Sequence, residues 1–269
     1  MKSSLSKIFL VLRNYLRVIR IALKGEKIFV VNKNSYCEDG LATNHITDFL
    51  KDEVFVRNYR LAAKNTNMSK LSHRILYRSY VVNYFADYAI KKFQENKGCF
   101  VELGTHKGLM AKLIILNTDL INQNINFYLF DTFEGIPIDQ VKDNLKRKFV
   151  EDLNASIYKE DVFKFVQKKF GDYECVKLIK GILPATLNNN SIILDDIKFL
   201  HIDLNNDYAE IESIKILYEK LLVGAPVILD DYCNSELYRD QKNSWDKFIE
   251  EKGMKILSLP TGQGLFFKI

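Results

Sequence analysis

The sequence predicts an α/β domain: a mostly parallel sheet with helices on both faces, closed by an antiparallel terminal hairpin. Three observations point there. First, Cys99-Phe100-Val101-Glu102-Leu103 reads as a buried strand, Gly104 to Gly108 as a glycine turn, and 109–116 as a helix. Second, short apolar runs return at 126–131, 176–181, 198–203 and 224–231, with helical patterns among them. Third, two strand-like runs, 255–259 and 264–269, flank Pro260-Thr261-Gly262-Gln263.

Length and composition narrow the rest. A chain of 269 residues holds one large domain, or one domain with an appendage. A net charge of +5 on scattered lysines demands no nucleic-acid partner. The four cysteines form no C-x-x-C pair, which leaves zinc and redox readings without support. No signal-peptide pattern is visible, so a reducing, cytoplasmic compartment is expected.

Taken in order, residues 1–25 form a basic amphipathic helix. Lys7, Arg13, Arg17, Arg20 and Lys24 interleave with Phe9, Leu12, Leu16, Ile19 and Leu23. The arginines interrupt it too often for a membrane span. It docks on the domain, joins a second copy in a homo-oligomer, or lies at the inner face of a membrane as a peripheral contact. Residues 26–96 form a helical amino-terminal region, with a short strand at 28–31 and helices over 55–67 and 70–96. Residues 97–269 form the main domain.

In an open α/β sheet, ligands bind where strands end at their carboxyl edge, which puts the 104–108 turn at a candidate site. The glycines allow close approach of backbone to a ligand, and the following helix offers free N–H groups. The dinucleotide pattern G-x-G-x-x-G is absent. Asp131 closes the neighbouring strand, where an acid can bind both hydroxyls of a ribose. Residues 132–137 make a turn, and 138–174 a charged helical crossover or lid.

Asp203, Asp230 and Asp231 close two further strands. If those strands are neighbours, the three carboxylates meet at one edge. No cationic side chain stands beside them at fixed spacing, so like-charge repulsion calls for a cation, and hard oxygen ligands suit Mg²⁺ or Ca²⁺. His201 shares a strand face with Asp203.

These motifs together resemble one family, the macrocin-type (TylF/MycF-like) O-methyltransferases, including relatives encoded with surface-polysaccharide genes. Phe100-Val101-Glu102-Leu103-Gly104 with Gly108 resembles its first S-adenosylmethionine motif. Phe130-Asp131-Thr132-Phe133-Glu134-Gly135-Ile136-Pro137 resembles its D-T-F-E-G-L-P signature, and Lys180-Gly181 with Thr186-Leu187 its K-G-x-F-x-x-T-L segment. His201-Ile202-Asp203 and Leu229-Asp230-Asp231-Tyr232 resemble its metal segments. The likeness covers roughly residues 70–269. It implies the class I, Rossmann-like methyltransferase fold over 97–269 and Mg²⁺-assisted methylation of a sugar hydroxyl, on a surface polysaccharide or a glycosylated natural product. By position, Glu102, Leu103, Gly104, Thr105, Gly108, Asp131, Thr132 and Phe133 would bind S-adenosylmethionine. Asp203, Asp230 and Asp231 would hold the metal, and Asp203 and His201 would be catalytic.

One departure stands out. The family usually carries a second aspartate two residues after its first metal ligand, a candidate base; here that residue is Asn205, which cannot accept a proton as a carboxylate does. Mg²⁺ lowers the pKa of a hydroxyl it binds, which lessens the need for a base. His201, Asp207 and His106 are the remaining candidates. Two other functions compete: a nicotinamide-dependent oxidoreductase on the same sheet, disfavoured by the missing glycine pattern, and a non-catalytic scaffold that uses the basic helix at a membrane.

Overall fold

The computed structural model describes residues 36–43, 45–69, 74–94, 97–158, 161–189, 192 and 194–269. The helix expected over 1–25 and the strand at 28–31 lie outside them. The chain divides into two compact units, and residues 38–40 with 48–269 form the larger. Of the smaller unit, residues 36, 37, 41–43 and 45–47 are described. Strands β1 (Tyr36–Glu38) and β2 (Leu41–Thr43) pair as a two-stranded sheet. Asp39 and Gly40 between them have φ of 51° and 72°, the pair of positive values that an Asp-Gly hairpin turn adopts.

Seven strands make the main sheet: β3 (Cys99–Leu103), β4 (Asn126–Asp131), β5 (Val176–Lys180), β6 (Ile197–Ile202), β7 (Pro226–Leu229), β8 (Leu257–Ser258) and β9 (Gly264–Phe267). Their order is β5-β4-β3-β6-β7-β9-β8, with β9 antiparallel to both its neighbours. The parallel sheet and closing hairpin read from the sequence are therefore present. Every residue of β3, β6 and β7 is buried, because helices cover both faces of a parallel sheet. Each large apolar side chain so buried contributes about 1.5–3 kcal/mol.

The helices are α1 (Asp48–Lys51), α2 (Glu53–Asn65), α3 (Leu76–Lys92), α4 (Leu109–Asn117), α5 (Asn144–Ser156), α6 (Phe163–Phe170), α7 (Asp207–Leu217) and α8 (Arg239–Glu250). Short polar side chains cap several of them. Asp52 accepts from the N–H of Phe55 at 2.9 Å, and Asp143 from that of Lys146 at 2.7 Å. Asn206 starts α7, accepting from the N–H groups of Tyr208 and Ala209. α2 and α3 pack on α4, and α7 packs on α8. The crossover 138–174 resolves into a single 3₁₀ turn and the helices α5 and α6.

Register decides where the chemistry can sit. Leu103 pairs with Phe130 on one side and Ile202 on the other, and Ile202 pairs with Leu229. The strands therefore end level. Gly104 N–H donates to the Phe130 carbonyl, Asp203 N–H to that of Leu103, and Asp230 N–H to that of Ile202, at 2.8, 2.7 and 2.9 Å. Gly104, Asp131, Asp203 and Asp230 thus share one edge.

Candidate active site

A cavity of about 340 Å³ opens along that edge, with Glu102, Gly104, His106, Asp131, Asp203 and Asp230 in its wall. Its two halves differ in construction.

The β3/β4 half is built from backbone. Asp131 Oδ2 accepts the N–H groups of Thr105 and His106, both at 2.7 Å, and Oδ1 accepts that of Phe133 at 2.5 Å. The Thr132 hydroxyl adds a longer contact to Oδ1 at 3.4 Å and donates to the Gly135 carbonyl at 2.5 Å. The acid that sequence reading gave to a ribose thus ties its own turn to the glycine turn. Thr105, Thr132 and Phe133 also line the cavity. Leu103 is fully buried in the core.

The two glycines also make room for close protein contacts. At Gly104, φ +91°, a Cβ would stand 1.8 Å from the Asp203 carbonyl oxygen. At Gly108, φ +82°, it would stand 2.5 Å from the Phe170 ring. Both glycines are needed to let protein pack on protein.

Among the described residues, three polar atoms of this half are buried with no hydrogen-bond partner: Glu102 Oε2, Thr105 Oγ1 and His106 Nε2. The His106 ring lies edge-on to Tyr158, with centroids 4.8 Å apart. Burial, aided by Lys107, lowers the imidazole to about 4, so His106 is neutral at pH 7. Burial and the charges of Asp203 and Asp231 push the Tyr158 phenol up, so it remains a donor.

The β6/β7 half is built from side chains. One oxygen each from Asp203, Asp230 and Asp231 lies within 4.8 Å of the others. Hard carboxylate oxygens so gathered fit a divalent cation such as Mg²⁺. Burial and the like charges of Asp230 and Asp231 raise the Asp203 carboxyl well above its usual range. Asp231 is raised to about 6 by burial and by Asp230. Asp230 moves the other way: burial would raise it, but the charge of Arg78 and the neighbouring His201 hold it well below the ordinary range.

His201 lies behind the acids. Its Nδ1 is 3.0 Å from Glu102 Oε1, and its Nε2 is 3.6 Å from Asp230 Oδ1, an ion-pair distance too long for a hydrogen bond. Burial would lower it, but Asp230 and Glu102 outweigh burial and raise it to about 10. Between Glu102 and Asp230, a protonated His201 ties the acids together. Asp207 begins α7, half-exposed, with Lys146 Nζ 4.0 Å away.

Sequence reading missed four side chains here. Arg78 bonds Asp230 at 2.6 Å, and Gln263 donates to Asp230 Oδ1 at 3.1 Å. Tyr238 donates to Asn205 Oδ1 at 2.5 Å, and Asn205 Nδ2 in turn donates to Asp203 Oδ1 at 3.1 Å. Tyr158 completes the set. The cationic compensation absent at short spacing comes from Arg78 and His201, distant in the chain. Asn205 does what an aspartate could not, giving Asp203 a hydrogen-bond donor.

The loop after β6 has its own anchor. Buried Glu210 accepts from Trp245 Nε1 at 2.7 Å, Gln241 Nε2 at 3.0 Å and Leu204 N–H at 3.4 Å. Lys146 of α5 donates to Gln241 Oε1 at 3.0 Å. Burial pushes the Glu210 carboxyl up to about 8.

A sheet in this order, with one antiparallel strand and its cavity at the carboxyl ends of β3, β4, β6 and β7, has the class I methyltransferase architecture. The chain belongs to the macrocin O-methyltransferase (TylF) family, whose sequence pattern matches residues 78–257. It is a methyltransferase, which sets aside the oxidoreductase and scaffold readings. Among solved structures, the O-methyltransferase NovP is similar in fold, with a TM-score of 0.60 at 18% identity over 73% of this chain and 81% of that one. The calicheamicin methyltransferase CalS11 overlaps with a TM-score of 0.46 at 14% identity, over 79% of this chain and 91% of its own. No curated protein matches the chain in sequence. Among the described residues, no helix is long and apolar enough to cross a membrane.

Proposed function

We propose that this methyltransferase moves the methyl group of S-adenosylmethionine to a hydroxyl of a sugar, carried on a glycosylated small molecule or a surface polysaccharide, with Mg²⁺ at the carboxylate edge. The observation that carries the reading is the level ending of β3, β4, β6 and β7, which puts a glycine turn, Asp203 and Asp230 in one cavity, with Asp231 beside the two acids. Family membership supplies the methyl chemistry.

The β3/β4 half is the cofactor side. Glu102 Oε2 is a buried acceptor without a partner, suited to the ammonium of an amino-acid moiety, and Thr105 Oγ1 and His106 Nε2 are polar atoms equally unused. Gly104 and Gly108 shape this wall, while Asp131, with Thr132 and Phe133, fixes the turn. The β6/β7 half is the acceptor side. Asp203, Asp230 and Asp231 would hold Mg²⁺, which when bound makes an acceptor hydroxyl more acidic. In the transfer, the bond from sulfonium sulfur to methyl breaks, the bond to the sugar oxygen forms, and S-adenosylhomocysteine leaves. The hydroxyl proton passes to a lone-pair-bearing side chain of the wall, the Asp203 carboxylate or His106 Nε2. Holding methyl and oxygen in line is the larger part of the protein's work.

The test is binding and turnover with glycosylated acceptors. S-adenosylhomocysteine should raise the melting temperature, EDTA should abolish methyl transfer, and Asp203→Asn should cut turnover at least about a hundredfold while S-adenosylhomocysteine affinity holds. Full turnover in EDTA would overturn the metal role, and no response to S-adenosylhomocysteine would overturn the cofactor side.

A further inference from the structure

Arg78 lies on α3, outside every motif that the sequence displays, and is 4% exposed. Its guanidinium has five N–H donors, and the chain uses all of them. Nε and one Nη2 donor hold the two oxygens of Asp39, at 2.9 and 3.1 Å. The second Nη2 donor bonds the Thr261 carbonyl at 2.7 Å. Both Nη1 donors go to one residue, the Asp230 carbonyl at 2.7 Å and Asp230 Oδ2 at 2.6 Å. Asp231 Oδ1 is 3.5 Å from the same nitrogen.

With every donor used, Arg78 has none left for an acceptor sugar or a cofactor carboxylate. Its action runs through the acids. By gripping main chain and side chain of Asp230 together, the planar fork fixes that side chain's rotation. Gln263 holds the other carboxylate oxygen. On the far side, Asp39 grips the fork in the bidentate geometry that matches guanidinium to carboxylate. Asp39 is itself set by the hairpin turn, whose Gly40 backbone passes close to the Pro260 carbonyl, 3.1 Å from where a Cβ would stand.

We propose that Arg78 is the positioning residue of the cation site, orienting Asp230 toward Asp203 and Asp231 before any cation arrives, and that Asp39 holds it in place. This rests on the metal reading given above. The fork's geometry carries the role, beyond its charge. A lysine keeps the charge but has neither five donors nor a planar arrangement.

The test is Mn²⁺ titration followed by electron paramagnetic resonance on the wild-type chain, Arg78→Met, Arg78→Lys and Asp39→Asn, with S-adenosylhomocysteine calorimetry on each. Both Arg78 variants should bind Mn²⁺ about 10–100-fold more weakly, as when partners behind metal ligands are removed. Arg78→Lys should be no better than Arg78→Met, Asp39→Asn should lose less in the same direction, and S-adenosylhomocysteine affinity should hold throughout. Mn²⁺ affinity unchanged or raised in Arg78→Met, or restored by lysine, overturns the proposal. Should the Arg78 variants fail to fold, unchanged Mn²⁺ affinity in Asp39→Asn overturns it alone. A wild-type chain that binds no Mn²⁺ removes the metal reading itself, a result distinct from wild type and variants binding alike.

Discussion

At the end of β4, Asp131 is held by backbone N–H groups from its own turn and the turn beside it. At the ends of β6 and β7, Asp203, Asp230 and Asp231 are held by side chains: Asn205, Arg78, Gln263 and Asn234. The first arrangement depends on chain path, which any sequence with the right turns reproduces. The second depends on particular side chains brought from several elements. A wall held by backbone N–H groups presents fixed dipoles, which suits a site that receives the same ligand in every turnover. A side-chain-built wall can gather like charges, which suits a site completed by a cation.

The strongest way to break this division is to attack the seam that both halves share. Gly104→Ala puts a Cβ against the Asp203 carbonyl at a backbone angle unfavourable to L-residues. It should destabilise the chain by on the order of 3 kcal/mol or more, seen in chemical denaturation, and weaken Mn²⁺ and S-adenosylhomocysteine binding together. Loss of cofactor affinity alone, in a chain of full stability, would mean that the glycine serves the ligand.

A finer separation comes from Asp131→Asn. Its amide NH₂ must face N–H or O–H donors on whichever side it turns, leaving about 1–3 kcal/mol of unsatisfied polar groups at the turn. S-adenosylhomocysteine should bind about tenfold more weakly, while Mn²⁺ affinity is unchanged. Equal loss of both would show that the halves are not independent.

A third test, one of pH dependence, concerns the loop that joins β6 to α7. Glu210 titrates near 8 in the fold against an ordinary 4.5. Between those values the folded chain keeps a proton that the unfolded chain has released, so stability falls as pH rises from about 5 to 8. Glu210→Gln should flatten that part of the melting-temperature profile, and an unaltered slope would mean that Glu210 is not its source.

The same division explains what the sequence displayed. β3, with five buried residues in a row, the glycine turn and Asp131 are all local, so periodicity and turn chemistry reveal them. The acids at 203, 230 and 231 are legible as strand ends, and adjacency of β6 and β7 brings them together. Their partners are not legible. Arg78 is one arginine on a helix, and only the tertiary fold carries it to Asp230. Asn205 looked like a missing base, because its pairing with Tyr238 of a distant turn has no local signature. Gly104 is legible as a turn glycine, but the carbonyl that a Cβ there would strike belongs to Asp203, far along the chain.

The seam between β3 and β6 also joins near and far parts of the sequence. Leu103 pairs with Phe130 from the next strand in sequence and with Ile202 from much later. Every hydrogen bond to the Asp131 carboxylate comes from residues 105–133, a short span of chain. Arg78, by contrast, draws its partners from Asp39, Asp230 and the Thr261 carbonyl, spread over most of the chain. The buried guanidinium is fully satisfied only when β7 and the 260–263 turn are in place. The cation edge thus draws on distant parts of the chain, and a chain cut short before residue 230 keeps the glycine turn and Asp203 but lacks Asp230 and Asp231.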